Sequence, residues 1–80
     1  MHEMHLVKDL FQDVLKYARE HQARAVTKIY IRMGAFTEIN EDILRHFFRE
    51  QGRGTILEGA EFLIEKKEGR ELRLLSFDCD

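Results

Sequence analysis

A helical repeat of apolar residues dominates the first quarter of the chain. Between residues 5 and 21, apolar side chains recur at steps of three and four, and polar side chains fill the remaining positions. The apolar stripe consists of Leu6, Val7, Leu10, Phe11, Val14, Leu15, Tyr17 and Ala18. This period matches the turn of an α-helix, and the stripe is wide. The pattern predicts an amphipathic helix that lies across a sheet.

The period changes to two after residue 24. Residues 25–33 are rich in β-branched side chains and predict a strand ended by Gly34, with Thr27, Ile29, Ile31 and Met33 on its inner face. A loop is expected to about Ile39. Asn40 then favours an N-cap, since its side chain can accept a hydrogen bond from a free amide of the next helix. The predicted buried face of that helix is Ile43, Leu44, Phe47 and Phe48, with Gly52 and Gly54 as terminators.

Two further alternating segments complete the chain. Residues 60–67 and 70–77 predict strands separated by a turn at Glu68-Gly69, and the short connection favours a C-terminal hairpin. The expected fold class is α+β, with two helices on one face of a three-stranded mixed sheet in the order α-β-α-β-β. A single domain over residues 1–80 is expected. The helical connection allows the first two strands to be parallel, and whether they are neighbours is left open.

The amino-acid composition argues against nucleic-acid binding and against membrane association. The charged share is 35%, yet the net charge is only −2 and both signs are interleaved. A nucleic-acid binder would show a clustered basic excess. No apolar run approaches the ~18–20 residues of a membrane span, and no signal peptide is recognisable, so a cytoplasmic protein without membrane association is expected. Cys79 is the one cysteine and is expected to be a thiol in a frayed tail.

Four stretches of the sequence together resemble one family. They are Met1-His2-Glu3 directly before the first helix, residues 26–34 (VTKIYIRMG), residues 55–60 (TILEGA) and residues 72–76 (LRLLS). The chain resembles HypA, the nickel-insertion factor for nickel–iron hydrogenases, nearly from end to end. The resemblance implies a nickel metallochaperone that offers its N-terminus to Ni(II). It also implies a HypB-like GTPase and a hydrogenase large subunit as partners; a homodimer is left open.

The N-terminal tripeptide has suitable donors for such a site. Square-planar nitrogen coordination suits Ni(II) and Cu(II). The Met1 amine, the His2 amide and imidazole, and the Glu3 amide are all close in sequence. In a square plane the His2 amide nitrogen has only two adjacent coordination positions, yet the other three donors would all need to lie next to it. The tripeptide therefore supplies about three of the four ligands. His5, a partner protein or water would supply the fourth.

The chain departs from the family pattern at one place. The resemblance implies a zinc ribbon, with two Cys-x-x-Cys pairs, inserted before the last strand, whereas residues 65–70 here join the two strands directly. No structural zinc is therefore expected. An alternative function follows: a HypA-like interaction or regulatory module that has lost metal delivery.

The sequence shows few other candidate functional residues. Neither a phosphate-binding glycine loop nor a nucleophile beside a base is recognisable, so an enzyme is not expected. His46 is expected to be a half-exposed packing residue of the second helix. His21 is expected to offset the dipole at the end of the first helix.

Overall fold

The elements follow one another in the predicted order. A computed structural model describes residues 4–35 and 40–80; the predicted loop at residues 36–39 lies outside them. The elements are α1 (Met4–Glu20), β1 (Val26–Gly34), α2 (Glu41–Gly52), β2 (Glu61–Lys67) and β3 (Leu72–Cys79). The α+β class, the element order and the mixed three-stranded sheet are thus confirmed. Neither of these two helices has the length and apolar character needed to cross a membrane.

The sheet places β1 at its centre. The strand order is β2-β1-β3, with β1 parallel to β2 and antiparallel to β3. The predicted C-terminal hairpin is therefore wrong: β2 and β3 run in opposite directions but are separated by β1. The physical reason is that β1, whose Ile29 and Ile31 side chains are fully buried, has both of its backbone edges hydrogen-bonded when it lies between β2 and β3. Four residues, 68–71, connect β2 to β3 across the end of β1.

Gly34 is the point where this connection crosses β1. The Gly34 amide donates to the Glu71 carbonyl at 2.6 Å, and the Ala35 amide donates to the Lys67 carbonyl at 2.7 Å. A Cβ atom at Gly34 would lie only 2.3 Å from the Gly69 carbonyl oxygen. The crossing is therefore closed to any residue with a side chain.

Both helices pack on one face of the sheet through a cluster of aromatic rings. Phe11 of α1 meets Phe48 of α2 edge to face, with ring centroids 5.3 Å apart, and Phe48 meets Phe62 of β2 at 4.7 Å. Such pairs add about 0.5–1.5 kcal/mol each beyond the burial of their apolar area. The predicted α1 stripe is buried except at its margins, since Leu6 and Tyr17 are exposed.

Two residues do not lie on the faces that the sequence predicts. Ile43 is 41% exposed, because the buried line of α2 is narrow and runs through Leu44, Phe48 and Gly52 at steps of four. Thr27 is exposed because the pairing of β1 with β3 shifts register between Val26 and Lys28. Val26 is buried in its place.

The N-terminal end of α2 is held by a helix cap and by contacts with β2. Asn40 is the N-cap, as predicted: its Oδ1 accepts a hydrogen bond from the Ile43 amide at 2.8 Å. Lys66 of β2 forms an ion pair with Glu41 at 2.8 Å. Arg45 donates to the Phe62 carbonyl at 3.1 Å. These contacts join the first turns of α2 to β2.

Replacement of Gly34 by alanine tests the crossing. We expect Gly34→Ala to lower the free energy of unfolding by at least about 1–3 kcal/mol, because the new methyl group overlaps backbone atoms that cannot move independently. Gly52→Ala is the matched control, since its Cβ would meet Leu57 at ordinary contact distances of 3.5 Å and more. The control should lie within about 1 kcal/mol of wild type. Urea unfolding measures the free energy of unfolding of both variants. Equal values for the two variants would contradict the close approach of residues 68–71 to Gly34.

Replacement of Asn40 tests the cap. Asn40→Ala should lower the free energy of unfolding by about 1 kcal/mol, because the Ile43 amide loses its acceptor. Asn40→Asp keeps an acceptor oxygen and should retain the wild-type value. The comparison by urea unfolding fails to support the cap if the aspartate variant is as unstable as the alanine variant.

Candidate functional site

The predicted nickel-binding tripeptide directly precedes α1. Met1, His2 and Glu3 lie outside the described residues, and α1 begins at the next residue, Met4. The chain advances at most roughly 3.3–3.6 Å per residue, so the Cα atom of His2 lies within roughly 7 Å of that of Met4. The surroundings of Met4 therefore define what the tripeptide can reach.

His5, the predicted local ligand, is an exposed residue in the first turn of α1. Its position in the helical repeat places it on the face that carries Asp9, Gln12 and Lys16, away from the buried stripe. Within residues 4–35 and 40–80, no three His, Cys, Asp or Glu side chains are grouped so as to hold a metal ion. His5 therefore has no pre-assembled set of ligands around it among these residues.

A groove lies between Met4 and the outer face of α2. Its apolar lining comes from Met4, Ile43 and Phe47. Its polar lining comes from Asn40, Asp42, His46, Glu50 and Gln51. The rings of Phe11 and Phe47 meet edge to face at 6.0 Å, which fixes the start of α1 against α2. The groove thus begins where the N-terminal tripeptide joins the folded domain.

His46 is the imidazole of this groove. It is exposed and lines the groove beside Ile43 and Phe47, which agrees with the predicted position on the outer side of α2. Asp42, His46 and Glu50 follow one another at steps of four and therefore form one stripe along α2. This spacing was visible in the sequence, but nothing local in the sequence shows that the stripe faces Met4. The Asn40 oxygen, by contrast, is already used as the helix cap.

One ion pair reaches the groove, because Glu50 in its lining pairs with Arg53 at 3.3 Å, and the ion pairs that shift carboxyl pKa values lie outside it. The hydrogen bond from Lys66 lowers the pKa of the Glu41 carboxyl, and Arg45 lowers it further. On the open face of the sheet, the guanidinium of Arg32 lies 2.8 Å from Glu65 and lowers the pKa of that carboxyl. These partly exposed pairs hold neighbouring elements together, and each contributes modestly to stability.

His21 and Cys79 lie at the other end of α1. His21 follows the helix and packs edge to face against Phe77, with centroids 6.3 Å apart. Cys79 is an exposed free thiol paired in register with Val26, so the expected frayed tail is wrong. Since α1 has 17 residues at about 1.5 Å each, this end lies roughly 25 Å from Met4. Neither residue belongs to the N-terminal site.

Comparison with known proteins places this geometry in a family. The family model HypA, described as hydrogenase/urease nickel incorporation, metallochaperone, matches residues 1–75. The match therefore includes the N-terminal tripeptide and extends into β3.

Curated relatives agree with this match. The hydrogenase maturation factor HypA of Archaeoglobus fulgidus is 38% identical over 88 residues, covering 100% of this chain and 80% of the relative. The HypA of Aquifex aeolicus is 32% identical, covering 99% of this chain and 66% of the relative. The HypA of Pyrococcus furiosus is 37% identical and covers 85% of this chain, but only 49% of the relative. The matched region is thus about half to four-fifths of these relatives.

The fold also has a solved counterpart. The solution structure of the Ni metallochaperone HypA from Helicobacter pylori superposes with a TM-score of 0.79, covering 99% of this chain and 97% of that chain. The sequence identity is 15%, so this comparison concerns the fold alone. Together with the family model and the curated relatives, it leads to one conclusion. The chain belongs to the HypA family.

Proposed function

We propose that this protein is a nickel metallochaperone that binds Ni(II) through Met1, His2 and Glu3 and delivers it during hydrogenase maturation. One observation carries the proposal: the match to a nickel-incorporation family begins at residue 1 and so includes the tripeptide. The curated relatives are named hydrogenase maturation factors, which supports the same process.

The chemistry of the tripeptide supports nickel as the cargo. An α-amine ordinarily has a pKa of about 8 and an imidazole one of about 6.5. Both lose their protons readily when a metal competes for the lone pair, and backbone amides between them can do the same. The nitrogen donors then occupy adjacent corners of the square plane that Ni(II) accepts. A carboxylate such as that of Glu3 can accept a hydrogen bond from an imidazole N–H and orient the ring.

The fold supports delivery rather than storage. The tripeptide directly precedes α1, which packs on α2 through the contact of Phe11 with Phe47. The tripeptide is thus joined to a fixed helix, and we propose that a receiving protein takes the metal there. A HypB-like GTPase and a hydrogenase large subunit are the partners that the family resemblance implies.

We propose that residues 1–80 perform this role without a structural zinc ion. Only residues 68–71 separate β2 from β3, which is too short for an inserted zinc ribbon. Cys79 is the only cysteine of residues 1–80, so these residues by themselves do not supply the thiolates of a ribbon-type cage. We infer that residues 1–80 act as a single nickel-binding domain.

A second candidate is an interaction module that has lost metal delivery. The exposed leucines of the two edge strands favour it: Leu63 of β2 is 37% exposed and Leu75 of β3 is 41% exposed. Exposed apolar side chains on sheet edges are suited to contact with a partner protein. This candidate keeps the fold and predicts no specific nickel affinity.

Calorimetric titration with Ni(II) separates the two candidates. On protein with its authentic, untagged N-terminus, we expect one tight site per chain, and His2→Ala should weaken it by at least about tenfold to a hundredfold, because an imidazole ligand is removed. His21→Ala is the matched control, since this histidine lies at the far end of α1, and it should bind as wild type. Wild-type protein that takes up nickel no better than an unrelated peptide would overturn the chaperone and leave the interaction module.

Acidification should release the metal. The amine, the imidazole and the amides bind only when deprotonated, so the affinity should fall steadily as the pH drops from 7.5 to 5.5. Titrations in buffers of different ionisation enthalpy should show protons released with each Ni(II) bound. An affinity that does not change over this range would exclude a site built from these nitrogen donors.

A further inference from the structure

We propose that the outer edge of β3 is a self-complementary interface, where two copies of this chain pair antiparallel and join their sheets into one. The inference goes beyond the proposed function, because it concerns β3 and the part of α1 beside it. β3 lies at one edge of the sheet, and among residues 4–35 and 40–80 it pairs only with β1. The backbone amides and carbonyls on its outer side therefore form a row that a further strand can pair with.

A groove runs beside this edge, between β3 and the second half of α1. Its apolar lining comes from Tyr17, Leu74, Leu75 and Phe77. Tyr17 is 42% exposed and Leu75 is 41% exposed, although both are large apolar side chains. A strand added at the edge of β3 would cover them. Main-chain pairing beside apolar pockets is the usual way in which proteins bind an extended segment.

A β-bulge makes β3 symmetric about its own centre. The pairing of β1 with β3 skips Leu75, which is therefore an extra residue of β3. Leu74 before the bulge and Phe77 after it both pack on the core. Arg73 and Asp78 are exposed and alternate with them on the open face of the sheet. Without the bulge, an odd and an even residue of one strand would lie on opposite faces. The bulge thus gives both halves of β3 the same order of inward and outward side chains.

This symmetry permits a register in which all eight residues of β3 pair with β3 of a second copy. Leu75 then lies opposite Ser76 of the second copy, and Leu74 lies opposite Phe77 of the second copy. The second of these pairs is on the inward face, so it extends the apolar layer beneath α1. Pairs of an aliphatic and an aromatic residue stabilise neighbouring strands, and the two-fold axis makes each pair occur twice.

The charges of β3 are complementary in the same register. Arg73 lies opposite Asp78 of the second copy, and Asp78 lies opposite Arg73 of the second copy, both on the open face. Within its own chain, Arg73 forms an exposed ion pair with Glu71 at 3.3 Å, and Asp78 accepts a hydrogen bond from Tyr30 at 3.1 Å. A guanidinium has several N–H donors and a carboxylate has two oxygens, so each group can make both contacts.

The other edge of the sheet lacks this complementarity. Antiparallel pairing of β2 with β2 of a second copy would place Leu63 opposite Glu65 and Phe62 opposite Lys66. Each of these pairs sets an apolar side chain against a charge. Charged residues on an edge strand oppose pairing with another chain. The sequence of β3, and not that of β2, therefore fits a second copy.

Charge reversal at the two ends of β3 tests the interface. Sedimentation equilibrium of the full chain, from micromolar to millimolar concentration, should show a monomer–dimer equilibrium. We expect Arg73→Asp and Asp78→Arg each to weaken dimerisation by about tenfold or more, because two like-charge pairs replace two opposite pairs. Lys67→Glu, on the β2 edge, is the matched control and should dimerise as wild type. Urea unfolding checks that each variant is folded.

Mixing the two reversed proteins gives the most specific result. In the mixed dimer, the Arg73→Asp chain supplies only negative groups at these positions and the Asp78→Arg chain supplies only positive ones. Both cross-strand pairs are then opposite in charge again. The equimolar mixture should therefore form heterodimers with about wild-type affinity, although each protein alone dimerises weakly. Native mass spectrometry distinguishes the heterodimer from both homodimers by mass.

Several results would overturn the inference. Wild-type protein that stays monomeric at millimolar concentration would leave the β3 edge to a different partner. A dimer that both single reversals leave unchanged, or that Lys67→Glu weakens equally, would place the interface elsewhere. Failure of the folded variants to form a heterodimer would exclude the antiparallel register. Since none of these measurements requires nickel, the inference and the proposed function fail independently.

Hydrogen exchange on the wild-type chain gives a readout that needs no substitution. Amides on the outer side of β3 are unpaired in the monomer and become hydrogen-bonded in the dimer. They should therefore exchange more slowly at high protein concentration than at low concentration, whereas the amides of β2 should not change. Equal exchange of β3 at both concentrations would contradict pairing through this edge.

Discussion

The contact of Phe11 with the two phenylalanines of α2 is the interaction on which the arrangement depends. Its ring lies 6.0 Å from Phe47 and 5.3 Å from Phe48, and Phe48 in turn packs on Phe62 of β2. These rings lock both helices to one another and to the sheet. Because Phe11 lies about two turns into α1, the same contact also fixes the point where the N-terminal tripeptide leaves the domain. The core and the candidate site therefore share one anchor.

The elements were predictable from the sequence because their signals are local. The period of three to four in α1, the alternation in β1 and the Asn40 cap depend on neighbouring residues, and the structure confirms each of them. The strand order was not predictable in this way. A short connection favours pairing of β2 with β3, but burial of both edges of β1 outweighs it. The strand order depends on the close approach of Gly34 to Gly69, and these two residues are 35 positions apart in the sequence.

The candidate site also has one part that the local sequence predicts and one part that depends on the fold. The tripeptide is recognisable from the sequence, because its donors are consecutive and stand at the very start of the matched region. His5 was the natural fourth ligand on sequence proximity alone. His46 is 41 residues further along the chain than His5, and only the packing of α1 on α2 brings it to the groove beside Met4. The sequence around an exposed helical histidine does not show which residues lie beside it in the folded protein.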